Sequence, residues 1–275
     1  MSVVYDDRIC KLGEGPLWHP LREQLFWFDI LGKCLMTKGH SWPFDEHVSA
    51  AGWVDRQTLL IASETALFTF DLDTAQRDDI CALEADNPKT RSNDGRADPW
   101  GGFWIGTMGK NAEPGAGAIY RYYNGALTRL FGDITISNAI CFAPDRICAY
   151  FADTSTQTIQ RQPLDDTGWP LGDAQVHVDL RAEDRNPDGA IVDADGTLWN
   201  AQWGSSRVAG YGPDGQFLTA VDFPACQVSC PALAPGQMFA TSAAVGLGRA
   251  ATDHDGLTFC TQTNAPFQPE YQIVL

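Results

Sequence analysis

Aromatic and apolar strand cores recur along this chain at a nearly constant interval, and that recurrence limits its possible folds more than any other feature. The cores are Leu25-Phe26-Trp27, Leu59-Leu60-Ile61, Phe103-Trp104-Ile105, Ala149-Tyr150-Phe151, Leu198-Trp199-Asn200 and Met238-Phe239-Ala240. Their central residues are 34, 44, 46, 49 and 40 positions apart. Six units in 275 residues average about 46 each, the length of a four-stranded propeller blade. Short β-branched and aromatic runs bounded by Gly, Pro, Asp and Asn fill the intervals, and no stretch carries the 3.6-residue period of a long helix. Asn124-Gly125 and Asp214-Gly215 mark hairpins within units. The pattern predicts an all-β fold, a six-bladed β-propeller with four-stranded antiparallel blades, forming one domain over residues 1–275. A pair of β-sandwiches would have no reason to show six similar units. The ring is expected to close by pairing of terminal strands, with the segments 2–8 and 268–275 sharing one blade.

The charge balance excludes several partners. The chain has 35 acidic and 19 basic residues, a formal net charge of −16, and no run of Lys and Arg. It therefore lacks the basic stripe that neutralises nucleic-acid phosphates, and an anionic membrane surface would repel it. With 44% apolar residues and 11% aromatics it can still bury a large core. No apolar run approaches the roughly 18 residues needed to span a bilayer, and the first residues lack a signal-like pattern. A cytoplasmic protein, monomeric or weakly homo-oligomeric, is expected. Eight scattered cysteines show no zinc-ribbon or disulfide-scaffold spacing and read as buried reduced thiols, with the pairing of Cys226 and Cys230 left open.

Aligning the units on their cores exposes a second register upstream. Glu14 and Asn138 lie twelve residues before Phe26 and Tyr150; Asn93 and Asp188 lie eleven before Trp104 and Trp199. A common register in a propeller recurs at one height around the axis, so these oxygen-bearing side chains are expected to converge at one mouth of the central channel. The other two units offer Ser49 or Ala50, and Gln227 or Val228, and contribute less. Two carboxylates and two amides form a hard donor set, better suited to Ca²⁺, Mg²⁺ or Mn²⁺ than to structural zinc, although Zn²⁺ or Fe²⁺ can also be held by such oxygens. Each residue taken singly fits a turn equally well; the matched register is what argues for a site.

The segments Gly13-Glu14-Gly15-Pro16-Leu17-Trp18, Arg91-Ser92-Asn93-Asp94-Gly95-Arg96, Phe103-Trp104-Ile105-Gly106-Thr107-Met108, Ile136-Ser137-Asn138-Ala139, Tyr150-Phe151-Ala152-Asp153-Thr154 and Asn186-Pro187-Asp188-Gly189 resemble the signatures of the SMP-30/gluconolactonase family. The resemblance implies a six-bladed propeller holding one divalent cation, Ca²⁺ favoured, through Glu14, Asn138 and Asp188. It further implies that Arg91 and Asn93 face a small-molecule substrate and that the reaction is hydrolysis of an aldonolactone. Ser92, Ala139 and Asn186 depart from the residues the family often carries. Asn111 stands where a sugar-contacting Glu often follows the Gly-Thr-Met segment, with Glu113 two residues on, and Asn111 is expected among the substrate contacts.

Hydrolysis of a lactone places negative charge on the former carbonyl oxygen, which a cation or Arg91 can stabilise. Asp188 is the expected general base, with Glu14 mainly a structural ligand; water activated by the cation is the alternative source of the nucleophile. Asp94 reads as an orienting residue or a turn residue, and Trp203 as blade packing or pocket lining. The five histidines show no ligand spacing, and neither a Gly-x-Ser-x-Gly elbow nor a P-loop occurs. The rival functions are a propeller hydrolase or isomerase acting on a non-sugar lactone or ester, and a non-enzymatic metal-binding propeller.

Overall fold

In the computed structural model, which describes residues 2–275, six four-stranded antiparallel sheets form a ring. Blade 1 begins with the strand Gly13–His19, blade 2 with Val48–Trp53, blade 3 with Thr90–Ala97, blade 4 with Ser137–Phe142, blade 5 with Asn186–Val192 and blade 6 with Gln227–Ala234. These innermost strands pack against one another in sequence around the axis, blade 6 against blade 1 included. The expected six-bladed β-propeller is the observed fold. Among the described residues, helix is limited to three short 3₁₀ turns, and no helix is long and apolar enough to cross a membrane.

The sequence repeat is the packing between blades. Six clusters of buried apolar side chains lie between neighbouring blades, and each central residue of the recurring cores sits in a different one: Phe26, Leu60, Trp104, Tyr150, Trp199 and Phe239. Successive residues of the second strand of a blade point to opposite faces. In Gln24–Asp29, Phe26 and Phe28 pack toward blade 2, while Leu25 and Trp27 pack toward blade 6. Both faces are covered, so these strands read as continuous apolar runs rather than alternating ones. Outermost strands face water on one side, as Arg77–Ala82 and Phe217–Asp222 do.

The ring closes differently in detail from the sequence expectation. Val3–Asp6 is the outer strand of blade 6, but its partner is Thr258–Gln262, not the segment 268–275. That last segment forms no sheet. It runs extended across the end of the channel where the innermost strands finish, tied by Ile273 N–H to the Trp53 carbonyl at 2.9 Å and by Val274 N–H to the Gly101 carbonyl at 2.9 Å. Glu270 is buried there in an ion pair with Arg96, whose guanidinium also donates to the Ala190 carbonyl at 3.1 Å. An apolar extended segment looks the same in sequence whether its backbone pairs in a sheet or is anchored by scattered bonds. Ile273 is buried beside Gly52 and Ala97. Ile273→Ala keeps the backbone bonds but opens a cavity, and is expected to cost about 2–5 kcal/mol in urea unfolding; a change near zero would show that this segment does not anchor the ring.

Candidate functional site

Each innermost strand carries one extra residue relative to its neighbour, and the interruption falls at the predicted register. Glu14 and Asn138 stand immediately before it, Asn93 and Asp188 within it. In the two remaining blades the unpaired residues are Ser49 and Ser229. A bulge turns a side chain that would lie between blades toward the strand end. The backbone after two of these residues is left-handed, at Gly15 (φ 53°) and Ala139 (φ 57°). At Gly15 a Cβ would come within 2.3 Å of the Ser49 carbonyl oxygen, so close approach as well as conformation selects glycine.

A cavity of about 310 Å³ opens at this mouth of the channel. Glu14, Arg91, Asn93, Asn138, Thr154 and Asp188 supply most of its polar wall. The first four ring residues named in the sequence therefore meet at one place, together with Arg91. Leu12, Leu31, Met108, Ile136, Trp203 and Val245 make the rest of the wall largely apolar. Lys110 also lines it, whereas Asn111 does not: Asn111 lies in the exposed turn, and both its backbone N–H and its side-chain amide bond to Glu113, at 3.0 Å each. Asn111, expected among the substrate contacts, thus lies outside the cavity wall, and its neighbour Lys110 lies on it.

A directional chain of hydrogen bonds links three blades. Arg91 Nη1 donates to Asn93 Oδ1 at 2.7 Å, Asn93 Nδ2 to Asn138 Oδ1 at 3.2 Å, Asn138 Nδ2 to Thr154 Oγ1 at 2.8 Å, and Thr154 Oγ1 to the Pro187 carbonyl at 2.8 Å. Because the Thr154 hydroxyl spends its proton on Pro187, it can only accept from Asn138. The Asn138 amide is thereby held with its oxygen toward Asn93. Nothing local in the sequence marks Thr154 for this role, which depends on the strand Cys148–Asp153 ending beside Pro187 of the next blade.

Glu14, Asp94 and Asp188 are all buried, and they perturb one another. Burial, reinforced by the nearby Asp94 charge, pushes the Glu14 carboxyl up to about 8. Burial together with Glu14 and Asp94 raises Asp188 well above the ordinary carboxylate range. Asp94 accepts from Ile140 N–H at 2.7 Å through one oxygen, while the other is buried without a partner; burial raises it to about 6, against the pull of Arg96. Arg91 is lowered to about 10 by burial, although Glu14 and its neighbours oppose this, so it keeps its charge at neutral pH. Two buried carboxyls forced to share one place are what a divalent cation relieves. Among the described residues no three His, Cys, Asp or Glu side chains are placed to hold a metal ion; a cation at this site would need the Asn138 amide oxygen beside the two carboxylates. That donor set fits a hard cation.

The stability of the protein alone should follow these carboxyls. Glu14 rises from 4.5 to about 8, so its contribution is full below its unfolded value and is lost as pH rises through the folded one. With chelator present, the melting temperature is expected to fall as pH is raised across that window, and Glu14→Gln to remove a measurable part of the fall. An unchanged pH profile in Glu14→Gln would contradict the assigned environment.

The family model for the SMP-30/gluconolactonase/LRE-like region matches residues 12–244. An L-arabinolactonase of Azospirillum brasilense is 38% identical over 95% of this chain and 92% of its own. A 6-deoxy-6-sulfogluconolactonase of Pseudomonas putida is 30% identical over 78% and 76% respectively. Among solved structures, a calcium-binding protein, regucalcin, from Agrobacterium tumefaciens superposes with a TM-score of 0.95 at 38% identity, covering 99% of this chain and 97% of that one.

Proposed function

The chain belongs to the SMP-30/gluconolactonase/LRE-like family, and on that premise we propose that it hydrolyses the lactone of a sugar acid to the open-chain acid. The observation that carries this reading is the meeting of Glu14, Asn138 and Asp188 with Arg91 and Asn93 around one cavity. Relatives bearing the names L-arabinolactonase and 6-deoxy-6-sulfogluconolactonase support the reaction class. The regucalcin neighbour, described as calcium-binding, supports a divalent cation, with Ca²⁺ favoured by the all-oxygen donors Glu14, Asn138 and Asp188. When bound there, such a cation supplies Lewis-acid stabilisation of the lactone carbonyl oxygen.

The remaining work falls to the side chains of the cavity. Asp188 takes a proton from the attacking water as the water oxygen bonds to the carbonyl carbon, and returns a proton to the ring oxygen when the ester C–O bond breaks. Glu14, beside Asp188, is the second carboxylate that would hold the cation, and the hydrogen-bond chain through Thr154 keeps the Asn138 oxygen presented. Arg91 has donors beyond Nη1 to offer the substrate, and Asn93, pinned by Arg91, orients it. The apolar wall limits competing water around the reacting ester. All eight cysteines are free, which supports a reducing, cytoplasmic setting.

Asp188→Asn is expected to lower kcat on the best aldonolactone by at least about 100-fold. Glu14→Gln should weaken divalent-cation binding in calorimetry, with the β-sheet circular dichroism of both variants retained. Wild-type turnover by Asp188→Asn, or no hydrolysis of any 1,4- or 1,5-aldonolactone with Ca²⁺, Zn²⁺, Mn²⁺ or Mg²⁺ supplied, would overturn the assignment.

A further inference from the structure

The polar groups of the cavity divide into two sets. Glu14, Asn93, Asn138, Thr154 and Asp188 belong to the ligand ring or to the hydrogen-bond chain that orders it. The other two charged side chains, Arg91 and Lys110, can only donate. Lys110 sits in the turn after the strand Phe103–Gly109, its backbone N–H bonded to the Lys89 carbonyl at 2.8 Å. Its ammonium is steered by Glu64, whose Oε2 lies 3.2 Å from Nζ and is shared with His47 Nδ1. The Lys110 side chain lines the cavity and remains 31% exposed, so the ammonium, though held by Glu64, stays accessible. Arg91 bonds to protein through Nη1 alone, to Asn93 Oδ1 and the Ser92 carbonyl, which leaves donors on the same buried side chain.

We infer that Lys110, together with Arg91, forms a subsite for an acidic group carried by the substrate away from the reacting ester, and that Lys110 sets this specificity. The inference rests on the lactonase reading and names its substrate class: a sugar lactone bearing a remote carboxylate, sulfonate or phosphate. A terminal hydroxyl both donates and accepts, and beyond the ligand ring the wall offers it only donors and apolar side chains such as Met108 and Ile136. An acceptor-only anion matches two cationic donors without leaving a proton unpaired. In a chain of net charge −16, these two cations also lessen the repulsion that an anionic substrate group would meet along their part of the wall.

The test compares lactones of the same ring that carry a remote hydroxymethyl, carboxylate, sulfonate or phosphate, using metal-loaded protein. KM for at least one anionic lactone is expected to be about tenfold below that of the neutral one, the scale of one charge-assisted hydrogen bond. The arms separate the three acids. Lys110→Met should bring the ratio of anionic to neutral KM close to one, and Lys110→Arg should restore it. A second readout needs no turnover: with chelator present, an open-chain sugar diacid should bind about tenfold more tightly than the matching monoacid in calorimetry, and Lys110→Met should erase the difference. Equal or better KM for the neutral lactone, or a ratio unmoved by Lys110→Met in protein with an unchanged melting temperature, would overturn the subsite while leaving the lactonase reading intact. Preferential diacid binding without hydrolysis of any lactone would support the subsite and overturn the lactonase reading.

Discussion

Each blade of this protein has two apolar faces, and neither can be covered except by another blade. Phe26 and Phe28 face one neighbour while Leu25 and Trp27 face the other, from adjacent positions of a single strand. The hydrophobic gain on burial is therefore realised only when the ring is complete. Closure falls to the outer strand Val3–Asp6, which joins the first described residues to the last blade by pairing with Thr258–Gln262. A closed ring in turn forces six innermost strands to surround an axis, and any side chain turned inward at one height meets five others from distant parts of the chain. The site is a by-product of that geometry, refined by where the strands bulge.

At the mouth of the axis, charge takes over from packing. Three buried carboxyls, Glu14, Asp94 and Asp188, would be intolerable together if all were ionised and unpaired. The fold relieves them unequally. Asp94 is balanced from below by Arg96, which is itself matched by Glu270, so a line of alternating charges runs down the channel. Arg91 offsets Glu14 and Asp188 in part, but its guanidinium is engaged with Asn93, and Lys110 on the same cavity wall is paired with Glu64. The residual acidity lies where the cavity opens, and there a soluble cation can reach it.

Much of this was legible in the sequence for a simple physical reason. Interblade packing needs a bulky apolar residue at the same place in every blade, so the repeat survives as Phe26, Leu60, Trp104, Tyr150, Trp199 and Phe239. The ligand register was legible because each bulge stands at nearly the same distance before that residue. What was missed lies in parts that do not repeat. Leu12, Leu31 and Val245 reach the cavity from connections of differing length. The choice between Lys110 and Asn111 depends on the path of one turn, where a shift of a single residue exchanges inside for outside. Thr154 acts through a carbonyl in the next blade, a relation no local pattern encodes. Local sequence does not separate the segment 268–275 from a strand, because an extended backbone can have the same composition whether or not it joins a sheet.

That last segment also gives the molecule a direction. With Glu270 and Ile273 seated across the far end of the channel, what enters at the mouth must leave by the mouth, and traffic in the two directions shares one doorway. The exposed Leu275 lies on the blind side. A surface, a partner protein or a solid support joined there would hold the molecule with its doorway facing outward, whereas attachment through the turn bearing Lys110 and Asn111 would set an obstacle beside the opening.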